Sequence, residues 1–298
     1  MNRISVLASA FIAMLLSLVS CSDKYTTYKG PEYILFSDTL YEFPVQNSED
    51  YFEIPVVATT ACDYDRTVAV EVNERTSNAI FGKHYTIESN TLTIKAGELV
   101  ANVKVRGSYD NIEVNDSLGF SLRLITDKET EWNVYGTKAN VLLKKACPFD
   151  INNFTGYCLL TSSFLMQYGK NGESKLVRTE LDPKNENTII VKDYLFDGYD
   201  IRIKFDPTDI LKPLIEWEDQ RIGTTAEPFY TKYGDGYIYV SQPQAYTSYF
   251  SSCEKFILQY MSMYTKEKDG STLVFGTYVS ALEWVSDDEG EKLKREGY

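Results

Sequence analysis

Leu118-Gly119-Phe120-Ser121-Leu122-Arg123-Leu124 decides how the chain is read. Leu118, Phe120, Leu122 and Leu124 fall on one side of an extended backbone and Ser121 and Arg123 on the other. A period of two is the mark of a β-strand with one face buried. The pattern recurs on either side. Val68, Val70 and Val72 alternate within 67–72, and Phe52, Ile54, Val56 and Ala58 form another set. Leu99, Ala101, Val103 and Val105 share a face, Leu92 and Ile94 make a shorter strand, and 139–144 closes the unit. Seven or eight short strands with no long helix predict a β-sandwich.

Residues 144–153 break the alternation, and Pro148 suits a connection because it cannot donate to a strand ladder. Strands then resume at 157–165, 175–181, 188–191, 200–205, 237–240, 255–264 and 272–284. Asp197-Gly198, Gly234-Asp235-Gly236 and Lys268-Asp269-Gly270 supply turns between them. Only 207–218 hints at a helix, with Asp206 as its cap and Pro213 limiting its length. Residues 287–298 read as a charged tail. The expected fold is therefore all-β: a sandwich over 33–145, followed by a second antiparallel domain over 146–286. Periodicity does not separate a sandwich from a lipocalin-like barrel for the second.

At the other end, Arg3 precedes an apolar and small-residue run from Ile4 to Leu18 without an acidic side chain, as in a signal peptide over 1–20. Leu18-Val19-Ser20-Cys21 resembles a bacterial lipobox, which implies lipidation of Cys21, a polar tether over 21–32 and an address at the outer membrane or cell surface. Each acyl chain contributes about 0.8 kcal/mol per buried methylene. A single transmembrane anchor is the competing reading, but Ser5, Ser9 and Ser17 interrupt the run and it sits near the lower length limit.

The run Phe81-Gly82-Lys83-His84-Tyr85, then Leu92 to Glu98 with Gly97-Glu98, then Val103-Lys104-Val105, resembles the immunoglobulin-like Calx-beta sandwich. With a lipobox in front and an aromatic β-domain behind, the layout resembles two-domain surface lipoproteins of Bacteroidetes-type bacteria. The Calx-beta resemblance implies calcium carried by loop carboxylates. Ca²⁺ takes six to eight oxygens, so several acids must converge. Asp110, Glu113 and Asp116 are the candidates, with Asp63 and Asp65 in an earlier loop, but Tyr109-Asp110-Asn111 replaces the family's adjacent aspartates. No other cofactor is expected.

With 30 basic and 43 acidic residues the chain carries a net charge of -13, which argues against nucleic acid. One histidine, His84, leaves no Ser, His and acid constellation, and zinc is not expected. Glu216 and Glu218 have the residue type of a glycosidase pair, but near neighbours of this kind abound in so acidic a chain. Of the five cysteines, Cys62, Cys147, Cys158 and Cys253 remain after Cys21, and Cys147 with Cys158 is the favoured disulfide, against buried free thiols.

The chain has 23 tyrosines, eight of them, Tyr249 included, between residues 194 and 249. Tyr230, Tyr237, Tyr239 and Tyr246 with Trp217 are the candidate ligand-binding residues, because an aromatic face stacks on a sugar ring while Glu216, Glu218, Asp219 or Gln242 holds its hydroxyls. Phe256 to Met263 is apolar on both faces, which fits either a hydrophobic-ligand cavity or a doubly packed strand. The expected function is a non-enzymatic, lipid-anchored surface protein that binds polysaccharide or a surface protein as an accessory to nutrient capture. The alternatives are a structural or adhesive envelope protein and a hydrophobic-ligand barrel.

Overall fold

The protein is seen here in a computed structural model that describes residues 30–127, 131, 136–169 and 172–298. The signal peptide, Cys21 and the tether as far as residue 29 lie outside the described residues. The first module holds β1 (Ile34–Phe36), β2 (Leu40–Val45), β3 (Phe52–Ala58), β4 (Arg66–Val72), β5 (Tyr85–Ile87), β6 (Thr91–Ile94), β7 (Val100–Gly107), β8 (Leu118–Ile125) and β9 (Lys138–Lys145). They form two sheets, β1-β3-β7-β5 and β2-β9-β8-β4-β6. The residues that alternate in the sequence meet between them: Ile54, Val56, Val68, Val103, Val105, Phe120 and Leu122 are all buried. Tyr85 stacks on Phe120 at 3.9 Å between ring centroids. Leu99 shares the parity of Val103 but precedes β7 and is exposed. Among the described strands, β2 departs from the antiparallel rule and runs parallel to β9.

The second module resolves the choice left open by periodicity. Its strands are β10 (Gly156–Ser162), β11 (Ser174–Leu181), β12 (Thr188–Lys192), β13 (Ile201–Asp206), β14 (Leu214–Glu216), β15 (Gln220–Thr224), β16 (Tyr237–Ser241), β17 (Tyr249–Ser251), β18 (Phe256–Lys266) and β19 (Thr272–Trp284). The order β18-β17-β14-β13-β12-β11-β10-β19 closes on itself, because β19 also pairs along β18. The result is an antiparallel barrel. Closure removes most of the open edge that a second sandwich would have to protect, leaving that of β15. At β14 and β17 it is thin, a single pair between Leu214 and Tyr249. The β15–β16 hairpin joins the other half of β18, where Tyr239 faces Tyr264.

The barrel's own side chains fill it. Leu160, Val177, Ile203, Ile257, Met261 and Met263 point inward and are buried. Inside, Tyr194 OH donates to Gln259 Oε1 at 2.6 Å and Ser280 Oγ to Ser162 Oγ at 2.9 Å. One end is plugged by Phe154, packed 4.6 Å from Phe205 and 5.0 Å from Trp284 between centroids. Met261 and Met263 therefore serve packing, and the hydrophobic-ligand reading of this strand is corrected.

Local hydrogen bonding corrects three other expectations. The strand predicted at 157–165 stops at Ser162, whose hydroxyl accepts from Phe164 N and caps α1 (Ser163–Tyr168). No helix forms over 207–218: Asp206 Oδ1 accepts from Thr208 N, Asp209 Oδ1 accepts from Leu211 N and Lys212 N, and the chain turns into β14. After the short helical turn α2 (Ala226–Phe229), the expected tail proves to be helix α3 (Asp287–Glu296). Ser286 caps it, acids occupy its first turn, Lys294 and Arg295 its last, and Gly297 ends it at φ 93°. It docks: Gly290 is buried against Tyr157, whose hydroxyl donates to Glu291.

The disulfide is also corrected. Cys147 pairs with Cys253, with Cα atoms 5.2 Å apart. Alternation along β10 turns the Cys158 side chain into the barrel, where it is fully buried and free, out of reach of a residue on the connecting segment. Cys62 is a partly exposed free thiol.

Candidate functional site

The disulfide fixes the turn before β18 to the connection between modules, and beside it lies a groove of about 840 Å³. Val114 and Asp116 come from a sandwich loop, Lys144 and Lys145 from the end of β9, and Leu211 and Leu214 from the turn before β14 and its first residue. Tyr249 and Phe256 form an aromatic wall, their rings edge to face at 6.1 Å. Such a concave, largely apolar surface with a few polar groups is the usual shape of a ligand site. Its basic residues are engaged. Lys144 ion-pairs with Glu42, Lys212 lies 3.8 Å from the same carboxylate, and Lys145 Nζ sits 4.3 Å from the Tyr109 ring centroid. Lys144 holds the Glu42 carboxyl below its ordinary pKa.

The wall continues out of the groove along the outer face of β18. Even-numbered residues from Phe256 to Lys266 face outward, and Ile257, Gln259, Met261, Met263 and Thr265 face the core. Beyond Phe256 and Leu258 comes Tyr260, on which Tyr246 stacks at 5.1 Å with the rings 17° apart. Ser262 follows and bonds Thr277 across the strands at 3.2 Å. Then comes Tyr264, buried at 8% exposure beneath Tyr239, whose ring stacks on it at 5.5 Å. A carboxylate secures each phenol: Tyr264 OH donates to Asp219 Oδ2 at 2.6 Å and Tyr239 OH to Asp235 Oδ2 at 2.7 Å. Desolvation and the neighbouring acids push both tyrosine pKa values up. Burial alone would raise Asp235, but hydrogen bonds from Tyr237 N, Tyr239 OH and Thr265 Oγ1 outweigh it and hold its carboxyl low.

The five predicted ligand-binding residues separate. Tyr237 and Tyr239 lie together on the outer side of β16, but cations lie against them: the Arg221 guanidinium is 3.7 Å from the Tyr237 centroid, and Lys266 Nζ is 4.3 Å from that of Tyr239. Tyr246 is 54% exposed and lies on the β18 lane. Tyr230 stands apart, 83% exposed, in a left-handed turn after α2. Trp217 is corrected: at 8% exposure it belongs to the barrel core, because its parity along the chain beyond β14 follows inward-facing Ile215. Of the predicted polar partners, Asp219 anchors Tyr264, Gln242 Nε2 reaches Ile215 O at 3.3 Å, and Glu216 and Glu218 are exposed. Sequence reasoning missed Phe256, Leu258 and Tyr260 as surface. The signal was present in a strand apolar on both faces, since a closed barrel has one inside and the second apolar face must look outward.

The calcium candidates do not converge. Asp116 Oδ2 accepts from Glu113 N at 2.9 Å and so closes its own loop, Asp110 lies exposed in a short 3-10 turn, and Asp65 bonds Lys95 and Ala96 N. Among the described residues no three His, Cys, Asp or Glu side chains are grouped to hold a metal. His84 is buried and its Nδ1 accepts from Ile80 N at 2.9 Å, a structural role.

An all-β chain with a sandwich, a closed barrel and an aromatic groove between them defines a class by architecture. The family described as a domain of unknown function, DUF4984, matches residues 134–296, more than half of the chain, and the chain belongs to it. No curated protein matches. Among solved structures, the apo Calx CBD1 domain is 18% identical, covering 39% of this chain and 98% of its own at a TM-score of 0.32. A Bacteroides ovatus protein of unknown function is 13% identical over 84% of this chain and 89% of its own, TM-score 0.35. A two-domain protein of unknown function from Bacteroides fragilis is 11% identical over 91% of each chain, TM-score 0.33. At these scores the likenesses carry no argument, and the fold class rests on the strand pairing.

Proposed function

We propose that this is a non-enzymatic, lipid-anchored cell-surface protein that binds glycan as an accessory to nutrient capture. The sandwich is the spacer, and the barrel carries the site where it meets the sandwich. One observation carries the reading: a groove of about 840 Å³ with an accessible aromatic wall, Tyr249 and Phe256, where the barrel meets the sandwich. Flat apolar rings beside hydroxyl and carboxylate groups are what a sugar face with its rim of hydroxyls requires. The lipobox-like Leu18 to Cys21 supports the anchor.

Two measurements test it. The detergent-solubilised chain, applied to a glycan array, is expected to retain polysaccharides and to lose them in Tyr249→Ala, while silence across the array favours a structural envelope protein. Cys21→Ala is expected to leave the membrane fraction, and an unchanged distribution defeats the anchor.

A further inference from the structure

Resting on that glycan reading, we infer that the ligand is a linear, uncharged polysaccharide chain, which enters the groove beside the disulfide and lies along the outer face of β18 as far as Tyr239, the ring that covers buried Tyr264. Two observations point there. The first is continuity. Phe256 belongs to the groove and, on the same face of the same strand, is followed by Leu258, Tyr260, Ser262, Tyr264 and Lys266. At about 3.3 Å per residue the lane from Phe256 to the Tyr239 and Tyr264 pair is about 26 Å long, far more than one sugar ring needs. Its aromatics come at intervals of four residues, each reinforced from a neighbouring segment, Tyr249 beside Phe256, Tyr246 on Tyr260 and Tyr239 on Tyr264. Hydroxyls of Ser262 and Thr277 lie between the last two pairs.

The second observation is charge. The groove's lysines, Lys144, Lys145 and Lys212, are matched by Asp116, Asp209 and Glu254 in the same lining, with Glu42 bonded to Lys144 beside them. At the far end, Arg221 and Lys266 share their cluster with Asp235 and Asp219. No stretch of the lane offers the uncompensated positive charge that an acidic polymer requires, and the chain as a whole carries -13. An uncharged polymer loses nothing by this balance.

The test uses the full chain in detergent with xylan, mannan and starch as neutral probes, a graded series of their oligosaccharides, and polygalacturonate as the acidic probe. Affinity for the retained neutral polymer is expected to rise with chain length, the monosaccharide binding at least about tenfold more weakly. Tyr246→Ala, a substitution at an exposed site, is expected to weaken the polymer and leave the shortest bound oligosaccharide unchanged. Equal affinity for monosaccharide and polymer, or preference for polygalacturonate, overturns the inference and leaves glycan binding standing. Retention of no glycan ends both. Self-association that Tyr246→Ala abolishes would show a second copy on this face and likewise overturn the inference.

Discussion

Asp235 shows how one side chain is set by its neighbours. Its carboxyl accepts from Tyr237 N at 3.0 Å, Tyr239 OH at 2.7 Å and Thr265 Oγ1 at 3.2 Å, and is held below its ordinary range. A carboxylate more acidic in the folded than in the unfolded chain stabilises fully above the unfolded value, about 3.9, and loses that contribution as pH falls through the lower folded value. Melting curves of the wild type and Asp235→Asn are therefore expected to differ at pH 6 to 7 and to converge below about pH 4; a gap that widens in acid contradicts the assignment. Cys158 makes a second case. Burial inside the barrel pushes its thiol well above the ordinary value, whereas Cys62 is partly exposed beside Glu32. Native alkylation followed by mass spectrometry is expected to label Cys62 and to spare Cys158 until the chain unfolds, because the thiolate and its access are both suppressed inside. Sequence made the buried-thiol alternative visible. It did not reveal which of the thiols would be the partner of Cys147.

Elements were legible where one face was buried and obscure where local side chains took over the backbone. The alternation at Leu118 to Leu124 identified β8, and Ile201, Ile203 and Phe205 identified β13. The failures, at 163–165, 207–218 and 287–298, share a cause. Ser162, Asp206, Asp209 and Ser286 bind nearby backbone N–H groups, and such short-range bonds choose between turn, helix and strand without changing hydrophobic periodicity. Helix α3 gives the sharpest test. On an exposed or frayed helix, Gly290→Ala would be neutral or stabilising by up to about 1 kcal/mol. A Cβ at Gly290 would lie 2.3 Å from the Tyr157 ring, so the docked helix predicts destabilisation by about 1–3 kcal/mol, read as a lower denaturation midpoint.

At the scale of the molecule, the Cys147–Cys253 bond ties the connection between modules to the turn before β18 across 106 residues, beside the groove. Removing it with Cys253→Ser is expected to cost about 2–4 kcal/mol, seen as a lower melting temperature that reducing agent reproduces in the wild type and not in the variant. The family match covers the barrel, and it assigns the chain without naming a ligand. Strand parity and turn residues could be read from the chain, because each depends on neighbours a few positions away. Closure of β18 onto β19, the partner of Cys147, the burial of Trp217 and the assembly of Tyr249, Phe256, Tyr260 and Tyr246 into one surface were decided by the tertiary structure alone. Those depend on which distant strands pair, and a period of two is the same whether a second face meets another sheet, a barrel lumen or solvent.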